Sequence, residues 1–261
     1  MNISFIGFGS MAKAIVHGLI KEQQHQLSAS APSLTIGVNK DQIHTHHDNK
    51  IVIKDAEVVI LAVKPAQMDA VLKEITPTLP TKCLLISVAA GLPLSWFATR
   101  CSKSQALIRT MPNTPASVGL AATPMIANHH TTSEQKQKAE YIFSTIGFNH
   151  WVSNEEDMDT FTALSGSGPA YVFLFIEAMV DAAVALGLDR SISKQFALQT
   201  CKGALKLAEK SDLSLSELRS NVTSPGGTTA AALKVLQFNL DKLILSAMVA
   251  AKSRAHELGQ I

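Results

Sequence analysis

Cysteine is scarce in this 261-residue chain, with only Cys83, Cys101 and Cys201 present. They are odd in number, widely spaced and never in a C-x-x-C pair, which excludes a disulfide framework or a zinc site built on them. Reduced thiols in a cytoplasmic setting are expected instead. An excess of one charge is also lacking. Lys and Arg total 23 against 21 Asp and Glu, a net charge of +2, so neither a nucleic-acid-binding face nor a polybasic membrane patch is expected. No apolar run reaches the ~20 residues of a membrane span. The longest, Tyr171 to Leu186, is interrupted by Glu177 and Asp181. The chain starts on a strand-like run, Asn2 to Ile6, with no basic region leading into a long apolar segment, so no signal peptide is expected. Internal repeats and low-complexity segments are absent too. With 46% apolar and 17% charged residues, a soluble globular protein of one large or two medium domains is expected.

The first half alternates short apolar runs with amphipathic stretches. Ile3–Ile6, Leu34–Val38, Val58–Val63, Leu84–Val88 and Ala106–Ile108 read as strands. Met11–Lys21, Ala66–Ile75 and Lys136–Ile146 read as helices, and Phe148–Val152 as a last strand. This alternation predicts βαβ units and a parallel sheet with helices on its faces. From about Glu155 the character changes to Ala- and Leu-rich segments, Ala170–Leu186, Ser193–Lys210, Thr228–Phe238 and Leu240–Leu258, all read as helices. The expected class is therefore α/β: a Rossmann-type dinucleotide-binding domain over residues 1–154 and an all-helical domain over 155–261. Tyr171–Leu186 is apolar almost all round, so a second subunit is expected to help cover it.

After the first strand comes Gly7-Phe8-Gly9-Ser10-Met11-Ala12, a G-x-G-x-x-A pattern. Gly7 permits the tight turn, Gly9 lets backbone approach a pyrophosphate, and Ala12 lets the helix pack closely on the strand. The helix N-terminus then aims its N–H groups at the phosphates. The strand end after Val38 carries Asn39-Lys40 where an NAD-specific site would place an acid to grip the ribose. An uncharged Asn and a cation favour a 2′-phosphate, so NADP(H) is preferred, and adjacent Asp41 keeps NAD(H) open.

Further blocks follow: Ala62-Val63-Lys64-Pro65, Ser87-Val88-Ala89-Ala90-Gly91, Arg109-Thr110-Met111-Pro112-Asn113-Thr114-Pro115, Ala163-Leu164-Ser165-Gly166-Ser167-Gly168-Pro169-Ala170-Tyr171, and Thr223-Ser224-Pro225-Gly226-Gly227-Thr228-Thr229. Together, and in this order from Met1 to about Gly259, they resemble the pyrroline-5-carboxylate reductase family, whose reaction is the last step of proline biosynthesis. The resemblance implies cofactor contacts at Ile6 to Met11 (Ile6, Gly7, Phe8, Gly9, Ser10, Met11), at Asn39, at Asn49, at Ala62, Val63, Lys64 and Pro65, and at Val88, Ala89 and Ala90. It implies that Asn221 reaches the cofactor from the helical domain and that the substrate sits on Ser224 to Thr229. It also implies helical domains interleaved into a dimer, with decamers in some members. The sequence departs from the family in three places. Between Lys40 and Asn49 there is less room than the family's helix needs, which alters the adenine-side wall. The usual Lys-Pro-Gln reads Lys64-Pro65-Ala66, and the last helical region runs about a residue short near Leu236–Leu240.

The residues of the last block suit an anion independently of the resemblance. Ser224 is a good N-cap, Pro225 fits the first helical position, and Gly226 and Gly227 present unobstructed N–H groups to a small carboxylate. Reduction moves a hydride from nicotinamide to the imine carbon of the pyrroline ring. A protonated imine is already electrophilic, so the protein mainly has to hold both rings in contact. The resemblance assigns the ring nitrogen to the Thr229 hydroxyl, making Thr229 the catalytic candidate, with solvent as the source of the proton.

Other signals point elsewhere. Ser165-Gly166-Ser167-Gly168 does not complete G-x-S-x-G and is expected to be a turn leading into a helix near Pro169. His44, His46, His47 and Asp48 lack helical metal-ligand spacing and read as a polar loop, as does His129-His130, so no metal is expected. Glu177 and Asp181 share a helical face and are expected to contact neighbouring helices. Lys202 and Lys206 keep open a related two-domain 3-hydroxy acid dehydrogenase, which uses a helix lysine. A non-catalytic NADP-binding protein of the same fold is the other alternative.

Overall fold

The computed structural model describes residues 1–22 and 25–259. The chain forms two compact units, Met1–Ser167 with Ala250 onward, and Gly168–Val249. The expected boundary at 154/155 lies inside the first of these.

In chain order the first unit contains β1 (Asn2–Ile6), α1 (Ser10–Ile20), β2 (Gln26–Ser30), β3 (Gly37–Val38), β4 (His44–His46), α2 (Asn49–Ile53), β5 (Val58–Leu61) and α3 (Pro65–Ile75). It continues through β6 (Leu84–Ser87), α4 (Leu94–Ala98), β7 (Leu107–Thr110), β8 (Ala121–Ala127), α5 (Ser133–Ser144), β9 (Gly147–Trp151) and α6 (Asp157–Phe161). The nine strands form one sheet in the order β3-β4-β2-β1-β5-β6-β7-β8-β9. From β4 to β7 all neighbours are parallel. β3 and β8 run antiparallel to β4 and β7, and β9 is parallel to β8. The strand order reverses between β1 and β5, and the crevice at the carboxyl ends of strands flanking such a switch point is where doubly wound sheets bind ligands.

The central strands are buried on both faces, which is why they read as unbroken apolar runs. Ile3, Phe5, Val58, Ile60 and Ile86 face a core closed by Ile15 and Leu19 of α1 and by Ile142 and Phe143 of α5. Ile6, Val59, Leu61 and Leu85 face a second core closed by Met68 and Leu72 of α3 and Phe97 of α4. A capping box at Thr132 and Gln135 fixes the start of α5.

Several sequence expectations are corrected. The second strand is Gln26–Ser30, not Leu34–Val38, of which only Gly37–Val38 is extended. His44–His46 is strand β4 rather than loop, and Asp48 caps α2 by accepting the Lys50 N–H. β2 and β4 are joined through the antiparallel edge strand β3 and not through a helix. β8 was not anticipated. Ser165–Gly166 ends a single π turn, Thr162–Gly166, and the next helix starts at Gly168, which puts Pro169 near its first position as expected.

The second unit holds α7 (Gly168–Ala185), α8 (Arg190–Lys210), α9 (Leu215–Asn221), α10 (Thr228–Leu236) and the start of α11 (Leu240–Leu258), whose last turns belong to the first unit. α9 was not anticipated. By length and composition Asp157–Ala185 is one helical run that could cross a membrane, because the helix continues upstream of Tyr171 through the π turn. The sequence expectation of too short a run is corrected to that extent.

Candidate active site

The phosphate-loop residues lie at the carboxyl end of β1. Gly7 has φ +87°, and a Cβ there would stand 2.6 Å from the Ala62 carbonyl oxygen, so only glycine fits. Its N–H donates to the Ser30 carbonyl (2.9 Å), and the Ala62 N–H donates to the Ile6 carbonyl (2.8 Å). Gly9 is the N-cap of α1 with no side-chain cap, and the space a Cβ would take is open. The first backbone bond of the helix runs from Lys13 to Gly9, which leaves the N–H groups of Ser10, Met11 and Ala12 without helical partners. This cradle fits a dinucleotide diphosphate. Phe8 packs its ring edge-on against Phe5.

The next two loops open at the same edge. Ala62 to Pro65 follow β5, with Lys64 exposed and acting as the N-cap of α3 ahead of Pro65 at its first position. Val88 to Ala90 follow β6. The Val88 N–H donates to the Leu61 carbonyl (3.2 Å) and the Ala89 N–H to Ser87 Oγ (3.3 Å). Asn49, at the start of α2, is at this edge too, where Ser30 Oγ donates to its Oδ1 (2.6 Å) and its Nδ2 donates to Glu74 Oε2 (2.8 Å).

Asn39 and Lys40 are not brought to this edge. β3 runs antiparallel to β4, so Asn39 stands beside Ile43, at the amino ends of the parallel strands and away from Gly7. Its Oδ1 accepts the N–H groups of Asp41 (2.9 Å) and Ile43 (3.0 Å), holding a turn. Lys40 lines a cavity with Leu19, His25 and Leu27 at that far end. The segment that does follow the second strand at the site is the turn Ala31–Leu34, closed by the Leu34 N–H on the Ala31 carbonyl (3.1 Å). It places Pro32 and Ser33, both exposed, at its tip. Sequence reasoning missed this turn, although Ala31-Pro32-Ser33 is a legible turn signal.

The helical unit contains the other predicted group. The Gly227 N–H donates to the Ser224 carbonyl (3.1 Å), and Gly226 has φ +72°. Ser224-Pro225-Gly226-Gly227 is therefore a turn with Pro second and Gly third, the arrangement a type II turn requires. This corrects the expected helix start. α10 begins at Thr228, with Gly227 as an N-cap that offers no side chain. Its first backbone bond runs from Ala231 to Gly227, so the N–H groups of Thr228, Thr229 and Ala230 lack helical partners. Bare N–H groups at a helix start, without a competing side chain, suit a small carboxylate. Asn221 is the last residue of α9, whose start is fixed by a capping box at Ser214 and Glu217. Glu217 is held below the usual carboxylate range by the Ser214 hydroxyl and backbone N–H.

The remaining polar signals take ordinary places. Asp181 pairs with Arg190 (2.9 Å) and Lys206 with Glu209 (2.7 Å). Lys202 is exposed on α8. His129 and His130 rings lie against each other at 3.8 Å.

The first unit thus defines the class: a Rossmann-type dinucleotide-binding oxidoreductase joined to a helical unit. Residues 2–91 match the family model of F420-dependent NADP oxidoreductases, and residues 155–258 match that of pyrroline-5-carboxylate reductase dimerisation. The chain is 38% identical over 264 residues to the pyrroline-5-carboxylate reductase of Pseudomonas aeruginosa, covering 99% of this chain and 97% of that one. Identity to the reductase of Synechocystis is also 38%, over 100% and 99% of the two chains. Among solved structures, the Coxiella burnetii pyrroline-5-carboxylate reductase superposes with a TM-score of 0.92 at 42% identity, over 98% of each chain. The Plasmodium falciparum enzyme, solved with NADP bound, gives 0.90 at 34% identity, over 99% of this chain and 98% of that one. The chain belongs to the pyrroline-5-carboxylate reductase family. The exposed apolar side chains of α7 lie within the stretch that matches the dimerisation model.

Proposed function

We propose that this chain reduces 1-pyrroline-5-carboxylate to L-proline with NADPH as the preferred cofactor. The observation that carries the reading is the presence, in one chain of this family, of both the Gly7–Met11 cradle and the bare start of α10 behind the Ser224–Gly227 turn. When bound, a nicotinamide dinucleotide supplies the hydride. The N–H groups of Ser10, Met11 and Ala12 hold its diphosphate, and Ala62–Pro65 and Val88–Ala90 border it.

The N–H groups of Thr228 to Ala230 bind the substrate carboxylate, and the protonated ring nitrogen donates to the Thr229 hydroxyl. Gly226 and Gly227 keep side chains out of that approach. Holding the imine nitrogen protonated makes its carbon the hydride acceptor, so no side chain need pass a proton during transfer. Asn221 and Asn49 complete the proposed cofactor contacts. The preference for NADPH rests on the Ala31–Leu34 turn, because no acid stands between Ser30 and Lys40 to grip a free ribose hydroxyl. The functional unit is a homodimer formed through the helices of the second unit. The setting is cytoplasmic, and burial there leaves Cys83 and Cys101 unreactive, with their thiols pushed up to about 12 and about 11.

The test is oxidation of NADPH and NADH in parallel by purified protein with pyrroline-5-carboxylate. Substrate-dependent turnover yielding proline is expected, and its absence from folded protein that binds NADPH refutes the reading. Thr229→Ala should lower kcat/KM by about tenfold or more with unchanged NADPH affinity, since it removes a hydrogen bond to a charged group.

A further inference from the structure

The loop after β6 does not end at Ala90, and what holds its far side is a closed ring of contacts. Leu94 N–H, at the start of α4, donates to Glu155 Oε1 at 2.7 Å. The same oxygen accepts Arg109 Nη1 at 2.9 Å. Arg109 projects from β7 and is almost wholly buried, with its Nη2 3.7 Å from Asp159 Oδ1. Asp159 Oδ2 in turn lies 3.4 Å from His256 Nδ1, on the last turn of α11. That helix end then packs on the loop itself. Gly91 has φ +85°, and a Cβ there would meet Leu258 backbone at 3.1 Å, while one on Gly259 would stand 2.5 Å from the Gly91 carbonyl oxygen. The ring surrounds a cavity of about 370 Å³ bordered by Arg109, Glu155, Asp159 and His256.

Each member has a physical reason to stay. A buried guanidinium is tolerated only when paired, and Glu155 supplies its closest partner. The Glu155 oxygen is at the same time an acceptor for a backbone N–H of the loop, so the loop is tied to the buried Arg109 charge. Gly91 and Gly259 meet backbone to backbone, leaving no side-chain cushion that could yield. The other side of the loop is pinned through Val88 and Ala89.

We propose that Glu155 and the end of α11, Leu258–Gly259, are positioning residues that hold the Val88–Gly91 loop in the shape that binds the dinucleotide. They touch neither cofactor nor substrate. The inference rests on the dinucleotide-binding part of the proposed function and is independent of which substrate is reduced.

The test measures NADPH dissociation constants by fluorescence on the full chain, alongside the melting temperature. Glu155→Ala should raise the NADPH Kd about tenfold, the scale on which small displacements of a positioned group act. Glu155→Gln keeps the acceptor for Leu94 and should recover most of that loss. Gly259→Ala, whose Cβ would stand 2.5 Å from the Gly91 carbonyl oxygen, should raise the Kd about threefold. At saturating NADPH, kcat and the KM for pyrroline-5-carboxylate should stay near wild type, a split that loss of folded protein does not produce. A folded Glu155→Ala or Gly259→Ala variant with wild-type NADPH Kd overturns the proposal, as does a Glu155→Gln no better than the alanine. Wild-type protein that binds NADPH but does not reduce the imine refutes the reaction, while the Kd series still decides the inference. Wild-type protein that binds no NADPH refutes both.

Discussion

Phe5 and Phe173 both sit in apolar runs, yet Phe5 is fully buried in the sheet of the first unit and Phe173 on α7 is 66% exposed. The contrast extends to the whole of each unit. The first encloses two cores, one on either face of its sheet. Within residues 168–249, by contrast, only Val180, Ser193 and Ala197 are buried, while large apolar side chains of α7, α8, α10 and α11 face outward. A patch of that extent on a helical unit marks an interaction surface. The two units are thus proposed to draw their stability from different sources: the first from its own chain, the second from self-association through its outward apolar surface, which lies in the region matched by the dimerisation family model.

The largest expected effect follows from breaking the second source. Phe173→Asp combined with Leu174→Asp should convert the protein to monomer by sedimentation and abolish reductase activity, while NADPH binding by the first unit persists. A dimer that stays active would mean that α7 is not the surface used. Breaking the first source is a matter of cavity rather than assembly. Phe5→Ala should lower unfolding stability by about 3–5 kcal/mol, the usual range for a buried Phe. That loss should not vary with protein concentration, whereas wild-type melting should shift upward with concentration through self-association.

A smaller effect separates the two ends of the sheet. Ser33→Asp should move the NADPH-to-NADH ratio of kcat/KM about tenfold toward NADH, since a carboxylate there repels a 2′-phosphate. Lys40→Ala, at the opposite end, should leave that ratio unchanged. The reverse result would return cofactor choice to the β3–β4 turn. The smallest effect is electrostatic. The Lys138 ammonium and the Asn2 N–H hold Glu57 below its usual carboxylate value of 4.5. A carboxylate lowered on folding stabilises above its unfolded pKa, and that stability is lost as pH falls through the folded value. Glu57 is 44% exposed, so Glu57→Gln should cost under about 1 kcal/mol at pH 7. Melting curves at falling pH should show the gap closing below 4.5.

How legible each region was depended on where its constraint came from. The β1–α1 loop was readable because its signals are local, the positive φ of Gly7, an open N-cap at Gly9 and a small Ala12, and the nearby Ala62 carbonyl only adds to the demand for glycine at position 7. β2 was missed because Gln26-Leu27-Ser28-Ala29-Ser30 lacks β-branched residues. It is a strand because β1 and β4 pair with it on both sides. Leu34–Val38 has the better strand composition but sits at the rim, where only two residues find a partner. Strand preference reflects the surface a segment fits, not the segment alone. β8 was hidden by Pro124, which removes a donor from the middle of the run. At the substrate loop, Ser224-Pro225 carries helix-start signals, but Gly226 and Gly227 let the chain complete a turn first, so the helix opens three residues later than Pro225 suggests.

By itself, then, the sequence determined the class of each half, the phosphate loop and the family, because residue types and their order express local geometry and descent. Only the tertiary structure decided which strand follows α1 in the sheet, and so which residues lie at its carboxyl end beside the Gly7 loop. It also decided that Asn39 and Lys40 lie at the opposite end of the sheet from the Gly7 loop, and that Leu258 and Gly259 pack on the loop after β6. Those facts depend on pairing between segments far apart in the chain, where backbone hydrogen bonds and shared burial, not the preferences of any one segment, fix which ends meet.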